Sequence, residues 1–284
     1  MTQGIVVGVD GTEQARAAAE WAAEEAVLRG TGVHLVHAHE PWPDSVAHWA
    51  TRESEEQWAE DLLARTADAL RERHPGLSLT TRSLPSGPVP GLVAAGDEGD
   101  LLVLGSRALG GVAGYVVGSV GLTVAGAVER PVVLVRALGD ASPRGSVVVG
   151  IDAREPADAV LGFAFEEAAR RRTGVNVVHA QQLPPYAVLG PAVVPDIRPT
   201  VAPEIERSLE DVLEPWRTKF PDVTATTRVV IGSAGLALVR AAGDAGLVVV
   251  GRRTRRSVLG AHIGSVAHAV LHHSRAPVVL VPHD

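Results

Sequence analysis

The chain has no cysteine among its 284 residues. Disulfides, thiol nucleophiles and thiolate metal sites are therefore excluded. Aromatic residues make up only 4% and methionine occurs once, so any core must be built from valine, leucine and alanine. Lysine also occurs once, at Lys219. No Gly-Lys-Ser/Thr phosphate loop is present, which argues against a Walker-type nucleoside triphosphatase. No apolar run is long enough to span a bilayer. The opening MTQGIVVGVDG goes straight into a strand-like pattern, without a basic region followed by an apolar leader. The expectation is a soluble, cytoplasmic protein. A net charge of −7 speaks against a general binder of nucleic acids or anionic membranes.

What the chain does have, it has twice. GSRALGGVAGYVVGS (105–119) and GRRTRRSVLGAHIGS (251–265) each follow a hydrophobic run and end in Gly-Ser before an apolar helix. Each helix leads to Pro-Val-Val-Leu-Val. The two copies stay in step at three landmarks: Gly105 and Gly251, Gly118 and Gly264, Pro131 and Pro277. A repeat at this scale means two homologous domains, expected over residues 1–138 and 146–284 with 139–145 as linker.

Each half alternates strand and helix patterns. In the first, strands are expected at 4–9, 33–39, 77–84, 101–104 and 132–136, and helices at 13–29, 52–73, 89–95 and 118–129. The second half repeats this, with strands at 146–151, 175–180, 223–231 and 247–250 and helices at 156–172, 203–220 and 234–242; residues 182–199 are proline-rich. Alternation implies parallel strands joined by right-handed crossovers. The fold class is thus α/β: two repeated doubly wound domains, each a five-stranded parallel sheet of order 3-2-1-4-5 with helices on both faces.

In such a sheet, ligands bind beyond the carboxyl ends of the strands, where the strand order reverses. Asp10 and Gly105 fall there, as do Asp152 and Gly251, and the second strands end nearby at Ala38 and Ala180. A carboxylate, a glycine loop opening a helix and a small residue with an accessible backbone suit a nucleotide. Glycine admits a close ligand, and the first N–H groups of a helix face an anion. Other readings stay open. Asp10 and Asp152 suit helix capping, and Ser119 and Ser265 suit N-caps as well as phosphate ligands. Arg252, Arg253, Arg255 and Arg256 read as a solvated loop or as phosphate contacts, not as a DNA-binding patch. Adjacent His272 and His273 point about 100° apart on a helix, so that pair suggests no metal site. Trp42, Trp49 and Trp58 read as cover for an edge or interface.

These residues resemble the universal stress protein family, in tandem form and over nearly the whole chain. The family's ATP motif is Gly, two residues, Gly, nine residues, then Gly-Ser or Gly-Thr. Both copies here match it except at the second glycine, replaced by Ala108 and Thr254. VGVDGT at the first strand, His37-Ala38 and His179-Ala180, and the Pro-Val-Val-Leu-Val endings add to the resemblance. It implies that Asp10, Gly11 and Asp152 lie against ribose and phosphates, and that the backbones of Ala38 and Ala180 meet adenine. Gly105, Gly118, Ser119 and Val120 would hold ribose and phosphates in the first half. Gly251, Gly264, Ser265 and Val266 would do so in the second, with Arg107 and Arg253 reaching phosphate. The ligand implied is ATP or another adenine nucleotide, with or without Mg²⁺. Thr254 is β-branched and disfavours the left-handed conformation, which ranks the first site above the second.

Three functions follow: a nucleotide-binding regulatory stress-response protein with little or no turnover, a slow ATPase or nucleotidyl transferase, or an interaction protein with vestigial pockets. The apolar last strands would expose backbone groups at a sheet edge, and the resemblance implies that paired domains meet through this strand, giving an internal pseudo-dimer of the two domains and a weaker homodimer. A regulatory protein partner is expected as well.

Overall fold

Residues 4–40, 52–106, 118–136, 145–181, 198–254 and 263–283 are described by the computed structural model, without the side chains of 52–54 and 198–201. Arg107, Ala108, Trp42, Trp49, Arg255 and Arg256 fall outside them. The first of two compact units carries β1 (Ile5–Gly8), α1 (Glu13–Arg29), β2 (Val33–Ala38), α2 (Arg52–Arg73), β3 (Leu79–Leu84), α3 (Pro88–Glu98), β4 (Leu101–Ser106), α4 (Ser119–Ala127) and β5 (Val132–Arg136). The second carries β6 (Val147–Gly150), α5 (Asp158–Arg171), β7 (Val175–Gln181), α6 (Arg198–Lys219), β8 (Ala225–Ile231), α7 (Ala234–Ala241), β9 (Leu247–Arg253), α8 (Ser265–His273) and β10 (Val278–His283).

Within the first unit the strand order is β3-β2-β1-β4-β5, with every pair parallel. The second unit repeats it as β8-β7-β6-β9-β10. Helices α1 and α2 cover one face of the first sheet, and α3 and α4 the other. A parallel sheet buried on both faces selects continuous Val and Leu rather than alternation. Accordingly Ile5, Val7, Leu101, Leu102, Val103, Val132 and Val133 are all buried.

Helix α1 packs close because its buried stripe is mostly alanine: Ala15, Ala18, Ala19, Ala22, Ala23 and Ala26. That stripe also hides Glu25, whose carboxylate pairs with Arg29 at 2.5 Å. Glu167 repeats the arrangement on α5, held by Arg170 at 2.6 Å and Arg171 at 3.2 Å. Burying a lone carboxylate would be costly, and an arginine one turn on supplies the counter-charge. Gly30 closes α1 at φ 64, the left-handed cap glycine favours.

Several boundaries differ from the sequence reading. Strands β4 and β9 continue past 104 and 250, so Gly105 and Gly251 lie inside strands instead of opening the loops. The ladder explains it: Gly105 pairs with Val135 and Gly251 with Val281. Helix α6 starts at Arg198, ahead of the expected residue 203, and carries Pro203 and Pro215 inside it. Pro203 forfeits only the bond to the carbonyl of residue 199, in the helix's first turns. Among the described residues, no helix is long and apolar enough to cross a membrane.

Candidate functional site

At the carboxyl ends of β1 and β4, where the strand order reverses, the first unit opens a cleft of about 310 Å³. That is within the range of about 300–1,000 Å³ common for small-molecule sites. Its walls are apolar, from Val9, Val36, Leu92 and Leu104, and its polar groups gather toward Asp10, Thr12 and the start of α4. Ala38, Gly105, Gly118, Ser119 and Val120 also line it. Six of the first-half candidates are thus brought together in one cleft.

Asp10 does not cap α1. Thr12 does, its hydroxyl accepting from the Ala15 N–H at 3.2 Å. Asp10 braces that cap: its Oδ1 accepts from the Thr12 N–H at 3.0 Å and from the Thr12 hydroxyl at 2.6 Å. Gly11 makes the turn between them at φ 82, a left-handed conformation that glycine adopts without strain. His37 is buried behind this turn and donates from Nδ1 to the Val9 carbonyl at 2.7 Å. Trp58 meets the His37 ring edge-on, with centroids 5.3 Å apart.

Among the described residues, no side chain caps the N-terminus of α4. Its N-cap residue is Gly118, which offers no side chain, and Ser119 is the first helical residue instead of the cap. The first intrahelical bond runs from the Leu122 N–H to the Gly118 carbonyl at 3.1 Å. The N–H groups of Ser119, Val120 and Gly121 precede it, and these three residues all line the cleft. The first N–H groups of a helix have no intrahelical acceptor, and the helix dipole adds partial positive charge there. A β-carbon placed on Gly118 would meet no described atom within 4 Å. Gly105 differs: a β-carbon there would stand 2.5 Å from the Gln14 carbonyl carbon and 2.7 Å from the Ala15 nitrogen.

In the second unit the same elements supply Asp152, Ala180, Gly251, Gly264, Ser265 and Val266, and among the described residues no side chain caps α8 after Gly264. A β-carbon on Gly264 would likewise meet no described atom within 4 Å. The charges are arranged differently. Arg154 stands where the first unit has Thr12, and its guanidinium grips Asp152 at 3.0 Å to Oδ1 and 2.8 Å to Oδ2. Without a hydroxyl cap, α5 starts only at Asp158, and its N-cap Ala157 makes no side-chain bond. Arg253 is an exposed residue of β9 paired with Glu155, and Arg252 is buried. His179 lies 3.3 Å from both the Ala153 N–H and the Ile151 carbonyl, accepting from one or donating to the other according to its tautomer.

The model of the universal stress protein family matches residues 1–136 and again 143–282. The chain belongs to this family. Universal stress protein Rv2005c of Mycobacterium tuberculosis is 32% identical over 291 residues, covering 98% of this chain and 96% of that protein. Universal stress protein Rv1996 of the same organism is 31% identical over 311 residues, covering 99% and 96%. Among solved structures, a universal stress protein from Archaeoglobus fulgidus aligns over 99% of this chain and 98% of its own, with a TM-score of 0.74 at 18% identity. That likeness concerns the fold.

Within this tandem universal stress protein, Thr254 directly follows β9 and does not take a positive φ. The sequence reading missed Arg154 and Glu155, which set the charge beside Asp152 and Arg253. It also missed Pro88 and Leu92, the cleft wall given by α3. Topology was the available signal for α3: every strand-to-helix turn of a parallel sheet opens on this side.

The Arg154 guanidinium holds the Asp152 carboxyl below its ordinary value, chiefly through their hydrogen bonds. A depressed carboxylate contributes stability above its unfolded pKa and loses it as pH falls through the folded one. The pair therefore acts in full at neutral pH and fades in acid. Arg154→Ala is expected to raise the Asp152 pKa toward the ordinary carboxylate value in an NMR titration of the side-chain carboxyl. An unchanged titration would contradict the pairing.

Proposed function

We propose that this universal stress protein binds an adenine nucleotide, ATP among them, in the first-unit cleft, and acts as a regulatory binder with little or no turnover. The observation that carries the reading is the start of α4, which no described side chain caps, opening through Gly118 into a cleft that is apolar on its walls and acidic at Asp10. The residues fit the ligand. Val9, Val36, Leu92 and Leu104 suit a base or ribose face, the Ala38 backbone suits the edge of adenine, and the N–H groups of 119–121 suit phosphate oxygens. Asp10 keeps a carboxylate at the mouth, where a ribose hydroxyl or a phosphate-bound Mg²⁺ would meet it.

Binding is favoured over hydrolysis by what the chain offers the phosphates. Lys219, the sole lysine, sits at the end of α6 in the second unit. Neither glycine loop carries the lysine that clamps the phosphates in P-loop enzymes. In the second unit Arg154 and Arg253 already hold Asp152 and Glu155, so an anion must compete with those carboxylates. We therefore rank the first-unit cleft above any site in the second unit.

The test is titration calorimetry of the full chain with ATP and Mg²⁺, after quantifying nucleotide released from purified protein. Asp10→Asn keeps an oxygen to brace Thr12 but removes the charge. It is expected to weaken binding roughly tenfold or more, in line with a charge-assisted contact worth about 1.5–3 kcal/mol. The melting temperature should hardly move. Wild-type protein that releases no nucleotide and gives no heat with ATP would overturn the reading.

A further inference from the structure

Helix α8 carries a histidine pair that the nucleotide reading does not use. His268 and His272 are one helical turn apart, and their Nε2 atoms stand 3.2 Å from each other. The ring centroids are 4.2 Å apart and the ring planes are tilted by 36°. His268 is exposed and His272 half-buried. Residues four apart share one helix face, unlike the adjacent His272 and His273.

The geometry points to a two-histidine site for a borderline divalent transition ion, Zn²⁺ or Cu²⁺, on the exposed face of α8. The distance supports it. Two nitrogens bound to one tetrahedral zinc at about 2.0–2.1 Å lie about 3.3 Å apart. The pair is thus already spaced as two ligands of one ion. Imidazole suits Zn²⁺ and Cu²⁺, whereas Mg²⁺ and Ca²⁺ prefer oxygen. Among the described residues no group of three or more His, Asp or Glu converges to hold a metal. The ion would be held at two points, with water or an outside anion completing its shell. Chelation would also clamp the turn that starts at Gly264, because the His268 N–H donates to the Gly264 carbonyl at 2.9 Å. The competing arrangement is a plain Nε2–H···Nε2 hydrogen bond between neutral rings.

The two are separated by metal binding to the untagged full chain. Zn²⁺ is measured by equilibrium dialysis, and Cu²⁺ by the nitrogen hyperfine pattern of its electron paramagnetic resonance spectrum. The wild type is expected to take one tight equivalent, with two nitrogens on Cu²⁺. His268→Gln and His272→Gln should each weaken that equivalent at least about tenfold, since loss of even an outer-shell partner costs about 10–100-fold. Each should leave one nitrogen on Cu²⁺, and His273→Gln should change neither. Absence of a first tight equivalent overturns the site, as does a His273→Gln loss equal to the others, or wild-type binding by His268→Gln. Should His272→Gln fail to fold, the exposed His268 variant decides alone.

Discussion

Gly105→Ala is expected to unfold the first unit well below the wild-type melting temperature. The cause is contact, not conformation. A β-carbon at 105 would stand 2.5 Å from the Gln14 carbonyl carbon and 2.7 Å from both the Gln14 oxygen and the Ala15 nitrogen. All three are backbone atoms in the first turn of α1, which Thr12 and Asp10 hold in place. No side chain can swing aside, so strand or helix must move. Overpacking costs about 1–3 kcal/mol where side chains can yield, and this site belongs at or above the top of that range. For a unit of this size, that corresponds to a drop of about 10 °C. Gly251→Ala is the internal control. There the nearest atoms are the His283 imidazole at 2.7 Å and the Val160 side chain at 3.2 Å. The His283 ring can turn away, so the loss should be clearly smaller. Calorimetry is the measurement to use, because a chain of two units need not melt in a single transition. A Gly105→Ala protein that melts like the wild type would show that α1 yields freely, and the close approach would lose its meaning.

The sequence made the architecture legible because a parallel α/β sheet imposes a strong pattern. Buried strands must be runs of Val and Leu, and each crossover needs a helix. The repeat then showed the same solution twice. Element ends were less legible, since they are set by partners that lie far away in sequence. Gly105 reads as a loop residue until its ladder with Val135 is seen. The capping chemistry failed for a related reason. Asp10 and Thr12 are both good N-cap residues, and only the backbone path shows that Thr12 caps while Asp10 braces it. Arg154 carried no signal as a single letter. Its effect comes from sitting two residues beyond Asp152 in a turn that folds the guanidinium back. Buried Glu25 and Glu167 were invisible too, because a charged residue on a helix is read as solvent-facing until its arginine closes over it.

Gly118→Ala is expected to abolish most nucleotide binding in the first cleft while leaving the fold nearly intact. The backbone at 118 has φ −57 and ψ 149, which alanine adopts as easily as glycine. No described atom lies within 4 Å of the added methyl. Alanine is a poorer N-cap than glycine, but the stiffer unfolded chain offsets part of that, by about 0.4–1 kcal/mol. Stability should thus change by less than about 1 kcal/mol. Binding is another matter. A phosphate held by the 119–121 N–H groups must approach within hydrogen-bond distance, about 3 Å, and the new methyl stands beside that path. Loss of two such charge-assisted bonds, at about 1.5–3 kcal/mol each, lowers affinity at least about 100-fold. The pairing of outcomes is what tests the idea. A glycine whose β position meets no described atom, at the start of a helix, is explained by a ligand the backbone must meet. If Gly118→Ala binds ATP as the wild type does, the start of α4 is not the phosphate site. If it binds nothing and also melts early, the methyl has struck protein, and 118 is a structural glycine like 105.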